Sequence, residues 1–150
     1  MLLIRDMTAA DEPAVMGMVD IFYHSPAVEH PVERDVLLRS FRAAADPAQR
    51  LLRGLLLTED GAAVGYCYLT ECYSAEAGGR QILVEELYLD ASCRGKGYGT
   101  EVFQWIMDAY PECARFRLEV TGANRDAARL YERLGFRYLE YGQMVFDRAP

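Results

Sequence analysis

The sequence predicts a mixed α/β fold, a single domain over residues 1–150, and three observations carry that prediction. Ile82–Leu89 is an apolar, β-prone run that passes through a glycine-rich turn, Arg94–Gly99, into helical spacing from Thr100 to Tyr110. Leu52–Thr58 and Ala62–Cys72 flank Glu59-Asp60-Gly61, and Asp-Gly between two apolar runs is a strong hairpin signal. The first third of the chain instead repeats its apolar residues at helical intervals, in Glu12–Tyr23 and again in Glu33–Ala45.

The elements follow in order. Leu2–Arg5 reads as a first strand, and Asp6 to Asp11 supplies turn and cap residues. In the helix Glu12–Tyr23, Pro13 is tolerated in the first turn, and Val15, Met18, Val19 and Phe22 form one face. His24-Ser25-Pro26 ends it. The second helix carries Val36, Leu37, Phe41 and Ala44 and stops at Asp46-Pro47. After the hairpin, Ser74–Gly79 is a loop, and the central strand and its helix follow, with Val102, Phe103, Ile106, Met107 and Tyr110 on one face. Pro111-Glu112 breaks the chain, and Phe116–Val120 is the next strand. Thr121-Gly122-Ala123-Asn124 opens a helix running to Leu134, closed by Gly135 as a left-handed cap. Arg137–Tyr141 and Gln143–Phe146 read as two terminal strands around Gly142. The predicted order is β-α-α-β-β-β-α-β-α-β-β.

Composition narrows the function. Sixteen basic residues against 23 acidic ones leave a net charge of −7, which argues against a nucleic-acid-binding surface and is compatible with a cationic small molecule. The opening Met-Leu-Leu-Ile-Arg-Asp is too short an apolar run for a signal peptide, and no stretch is apolar enough to span a membrane. Cys67, Cys72, Cys93 and Cys113 lack metal-site spacing. The expectation is a cytoplasmic, reduced, metal-free protein without nucleic-acid or membrane partners.

The chemistry concentrates after the central strand. Glycines at 95, 97 and 99 let the backbone turn sharply and approach a ligand, and the helix that follows presents its free N–H groups. Arg94 and Lys96 add positive charge. This is the composition of a pyrophosphate cradle. The spacing is neither that of the nucleotide-binding P-loop nor Gly-x-Gly-x-x-Gly, since Thr100 stands where the dinucleotide frame needs glycine.

Arg94-x-x-Gly97-x-Gly99 after a central strand resembles the signature of the GNAT superfamily, the acetyl-coenzyme A-dependent N-acetyltransferases, and the element order matches over almost the whole chain. The resemblance implies the acyl-CoA N-acyltransferase fold with a splayed central sheet, and acetyl-CoA as co-substrate. The pyrophosphate would lie on Arg94, Gly95, Lys96, Gly97, Tyr98, Gly99 and Thr100, and the pantetheine arm along Leu87, Tyr88 and Leu89. Asn124-Arg-Asp-Ala-Ala-Arg-Leu-Tyr131-Glu-Arg-Leu-Gly-Phe136 resembles a second motif of the family. It implies that Asn124 hydrogen-bonds the cofactor and that Tyr131 protonates the departing thiolate. Periodicity alone would put Tyr131 in an ordinary core stripe with Ala127, Leu130 and Leu134.

The activity the resemblance implies, acetyl transfer to the primary amine of a small molecule or peptide, also needs a proton acceptor. Glu85 and Glu86 interrupt the central strand, and burial would raise a carboxylate's pKa toward neutrality. Strict alternation puts Glu85 with Leu83, Leu87 and Leu89, and Glu86 with Ile82, Val84 and Tyr88. Spermidine/spermine acetyltransferases carry a similar acidic pair; Glu85 is the first choice for the base and Glu86 the second. Ion pairs with Arg80, Arg115 or Arg117 would explain either acid equally well. Tyr23, His24, Glu29 and Glu85 are the candidates for the acceptor pocket, where acids would favour a cationic amine. No cysteine has an evident base beside it, so direct attack in a ternary complex is expected over an acyl-enzyme. The competing functions are a non-catalytic acyl-CoA sensor of the same fold and an acyltransferase using a longer acyl-CoA. A homodimer through the terminal strands completes the expectations.

Overall fold

A computed structural model describes residues 1–148. Strand β1 (Leu2–Asp6) leads through a short 3-10 turn into α1 (Glu12–Tyr23), and α2 (Arg34–Ala44) follows. The hairpin β2 (Arg53–Glu59) and β3 (Ala62–Ser74) leads to β4 (Gly79–Leu89), α3 (Tyr98–Ala109), β5 (Arg115–Leu118) and α4 (Arg125–Arg133). The hairpin turns where Asp-Gly requires it, with Asp60 and Gly61 at φ of 50° and 83°.

The five strands lie in sequence order, β1 to β4 antiparallel and β5 parallel to β4. Their period of 2 divides the apolar residues between two layers. Leu56, Tyr66, Tyr68 and Tyr88 meet Val15, Met18 and Val19 of α1 and Leu37 and Phe41 of α2. Leu55, Leu57, Cys67, Leu69, Ile82 and Val84 face Val102, Phe103 and Ile106 of α3, with Tyr131 and Leu134 of the α4 region against the same cluster. Among the described residues no helix is long and apolar enough to cross a membrane.

Two expectations need correction. The terminal strands Arg137–Tyr141 and Gln143–Phe146 are not formed: residues 136–148 carry no ladder, and Met144, Val145 and Phe146 are exposed. The edge they would have to join is β5, which is only four residues long and gives them little to pair with. Strand β5 also stops at Leu118, leaving Glu119 and Val120 outside it. That second difference shapes the site.

Candidate active site

Strands β4 and β5 pair from Gln81↔Arg115 to Val84↔Leu118, and there the pairing ends. Strand β4 runs on to Leu89 while β5 does not, so among the described residues Glu85 to Leu89 have no strand partner on that side. Past Val84 the two strands part, next to the β5 edge of the sheet, and the β4 backbone along Leu87, Tyr88 and Leu89 offers an edge to an extended ligand. Beyond β5, the Thr121 hydroxyl donates to the Pro26 carbonyl at 2.5 Å, tying the chain to the loop after α1.

A β-bulge lies in β4 beside the parting. Tyr68 pairs with Glu86 and Leu69 with Val84, so Glu85 is the extra residue. The bulge overturns strict alternation. Val84 faces α3, whereas Tyr88 faces α1 and α2. Glu86 accepts from Tyr66 Oη at 2.7 Å and, at its other oxygen, from Tyr23 Oη of α1. Glu85 accepts from Thr70 Oγ1 at 3.1 Å. Tyr66, Tyr68 and Thr70 alternate along one face of β3, so both carboxylates stand on that face. Two of the arginines that could have paired with them are engaged elsewhere: Arg80 is bound to Glu71 and Arg115 lies 3.7 Å from Glu76.

The two acids differ in setting. Glu85 is exposed and Glu86 half-buried. Burial pushes the Glu86 carboxyl above its ordinary range, the hydroxyls of Tyr23 and Tyr66 pull it back in part, and the neighbouring charge of Glu85 pushes it further up. The same burial raises Tyr23, Tyr66 and Tyr68, keeping all three hydroxyls protonated, and Tyr23 and Tyr66 donate to the carboxylate. Tyr68 is 3% exposed, and its hydroxyl has no hydrogen-bond partner among the described residues.

The glycine-rich turn has the shape expected of a cradle. Gly95 and Gly97 stand at φ of 75° and 84°, and a Cβ at either would meet nothing, so glycine is needed there for backbone conformation alone. Gly97 caps α3 without a side-chain bond, and among the described residues no protein group accepts from the N–H groups of Gly95 to Thr100. Gly99 serves differently: a Cβ there would lie 2.6 Å from Leu130 Cδ2, so its absence lets α3 and α4 approach. Arg94 is exposed and makes no ion pair among the described residues. Lys96 does not join it, being held 2.9 Å from Glu59.

Tyr131 lies edge-on to Phe103 and Phe136, in the layer opposite Glu86. Burial, with the Cys67 thiol nearby, raises its hydroxyl to about 12, so it remains a proton donor at neutral pH. The Asn124 side-chain oxygen caps α4, accepting from the Ala127 N–H at 3.4 Å. Of the acceptor-pocket candidates, Tyr23 reaches Glu86. His24 and Glu29 do not: His24 has Nδ1 on the Asp20 carbonyl at 2.6 Å, and Glu29 lies 3.9 Å from His30 at the surface. Tyr66 and Tyr68 join the site although nothing in the sequence separates a pocket tyrosine of β3 from a packed one. The sequence likewise presents Glu59 only as part of a turn.

A profile described as the acetyltransferase (GNAT) family matches residues 13–136. The thialysine N-epsilon-acetyltransferase of Sus scrofa is 35% identical over 78 residues, covering 51% of this chain and 45% of that protein. Its counterpart from Mus musculus is 26% identical over 140 residues, 88% of this chain and 82% of that protein. Among solved structures, an aminoglycoside N-acetyltransferase in complex with CoA superposes with a TM-score of 0.77 at 15% identity, covering 99% of this chain and 96% of that one. At that identity the likeness is one of fold.

Proposed function

The chain belongs to the GNAT acetyltransferase family, and on that premise we propose that it uses acetyl-CoA to acetylate the primary amine of a small cationic molecule, with Glu86 as base and Tyr131 as acid. The observation that carries the proposal is Glu86, a half-buried carboxylate beside the parted strands, held by two tyrosine hydroxyls and raised in pKa.

Acetyl-CoA supplies the acetyl thioester. The chain's own residues do the rest. Backbone N–H groups from Gly95 to Thr100, with Arg94, hold the pyrophosphate, and the free edge of β4 aligns the arm behind it. Glu86 takes a proton from the ammonium, exposing the lone pair that attacks the acetyl carbon as the C–S bond breaks. The nitrogen loses two protons in all: the first leaves through Glu86, and the second, shed after attack, reprotonates Tyr131, which has given its own proton to the departing sulfur. Glu85, exposed on the same face, adds negative charge where the ammonium arrives.

The two relatives named for thialysine support a small amine, and the paired acids support a cationic one; a peptide amine is the broader form of the same reading. The four cysteines are free thiols, which supports a reducing, cytoplasmic setting. Exposed Tyr138, Tyr141, Met144 and Phe146 support a homodimer. The test is free-thiol release from acetyl-CoA with a panel of mono- and diamines, repeated with propionyl-CoA. Turnover highest on a diamine and on the acetyl donor is expected; equal turnover on monoamines and diamines would remove the acceptor assignment.

A further inference from the structure

Glu59 stands at the end of β2, paired through its backbone register with Leu2 of β1 and Ala62 of β3, and is therefore fixed by the sheet on both sides. Its carboxylate reaches out of the sheet to the glycine-rich turn. It accepts from Lys96 Nζ at 2.9 and 3.1 Å, from Tyr98 Oη, and from Cys93 Sγ at 3.6 Å. Lys96 also lies over the Tyr98 ring, 5.6 Å from its centroid. These three residues bracket Gly95 and Gly97, the two positions where the backbone is least restrained.

We propose that Glu59 is a positioning residue: it clamps the turn to the sheet so that the N–H groups of residues 95–100 are aligned before a ligand arrives, and it holds Lys96 as a strut instead of a phosphate contact. This rests on reading the turn as the coenzyme A pyrophosphate site. The geometry divides the two cations of the turn by role. Arg94, exposed and outside the ion pairs of the described residues, faces the anion; Lys96 is occupied by Glu59. A turn with two left-handed glycines and no such clamp would lose conformational entropy on binding, and pre-alignment removes that loss from the binding step.

The test is CoA binding by calorimetry, at low and high salt, for the wild type, Glu59→Gln, Lys96→Met, their double variant and Arg94→Gln, with kcat and both KM values for each. Glu59→Gln and Lys96→Met should each weaken CoA binding roughly three- to tenfold, and the double variant no more than Glu59→Gln alone, since the Lys96 contact is one of those that Glu59→Gln already cuts. KM for acetyl-CoA should rise while kcat at saturation and KM for the amine hold. The salt dependence of Kd should survive in Lys96→Met and flatten in Arg94→Gln, because only the latter removes a phosphate contact. Unchanged or tighter binding by Glu59→Gln overturns the proposal, for it would mean that freeing Lys96 helps the anion. So does a flattened salt dependence in Lys96→Met. Loss of kcat together with thermal stability at constant KM would make Glu59 merely structural. If the wild type binds CoA and Arg94→Gln binds as tightly, the pyrophosphate reading itself falls, and the clamp with it.

Discussion

Glu85 and Glu86, adjacent in the chain, stand on the same face of the sheet, because Glu85 is the extra residue of a bulge and both acids oppose Tyr68. An unbulged strand would have turned one of them toward α3. The bulge lies where β4 leaves β5, so one local irregularity places two carboxylates beside the stretch of β4 that is unpaired on that side.

Burial makes Glu86 a cost to the folded state at neutral pH. Its folded pKa lies above the ordinary 4.5, so its contribution to stability is full below 4.5 and lost as pH rises through the raised value. Glu86→Gln should therefore gain thermal stability relative to the wild type as pH climbs from acid to neutral. Melting temperatures of both proteins across that range test this; a difference that does not change with pH would contradict it.

Tyr66 favours the ionised form of Glu86 by donating to it at 2.7 Å. Removing the hydroxyl in Tyr66→Phe should move the acid limb of the kcat/KM profile to higher pH. The hydroxyl of Thr70, further along the same face of β3, is bonded to Glu85 and does not replace it. A limb that stays in place would separate the Tyr66 hydroxyl from the proton transfer.

Tyr131→Phe should lower kcat roughly a hundredfold, the order expected for losing a general acid, while leaving CoA binding within about twofold. The aromatic packing against Phe103 and Phe136 survives the change, so a matching fall in melting temperature is not expected. Single-turnover rates at saturating acetyl-CoA are the measurement. Full activity would return Tyr131 to the core.

Gly97→Ala places a Cβ in open space at a φ of 84°, so any effect comes from the backbone alone. The expected cost is about 1–2 kcal/mol, felt as weaker CoA binding and a lower melting temperature. Equal affinity for CoA would show that the turn's left-handed conformation is not what the ligand meets.

Much of this was legible in the chain, for local reasons. Asp60-Gly61 and Gly95-x-Gly97 encode their own backbone, and both have the positive φ that their residues suggest. The amphipathic spacing of Val15, Met18 and Val19 likewise determined a buried face. What escaped was non-local. A bulge at Glu85 depends on the register with β3, which no window on β4 contains. Glu59 meets Lys96 across 37 residues, and a hairpin signal hid it. The terminal residues 137–146 have strand-like alternation, but pairing needs an edge, and the short β5 gives them little.

The most direct measurement is the pH dependence of kcat/KM on the best amine for the wild type, Glu86→Gln and Glu85→Gln. The expected result is an acid limb in the wild type, its disappearance in Glu86→Gln with a loss of roughly a hundredfold or more, and its survival in Glu85→Gln. A Glu86→Gln enzyme that keeps both its rate and its limb, while Glu85→Gln loses them, would contradict the assignment of the base.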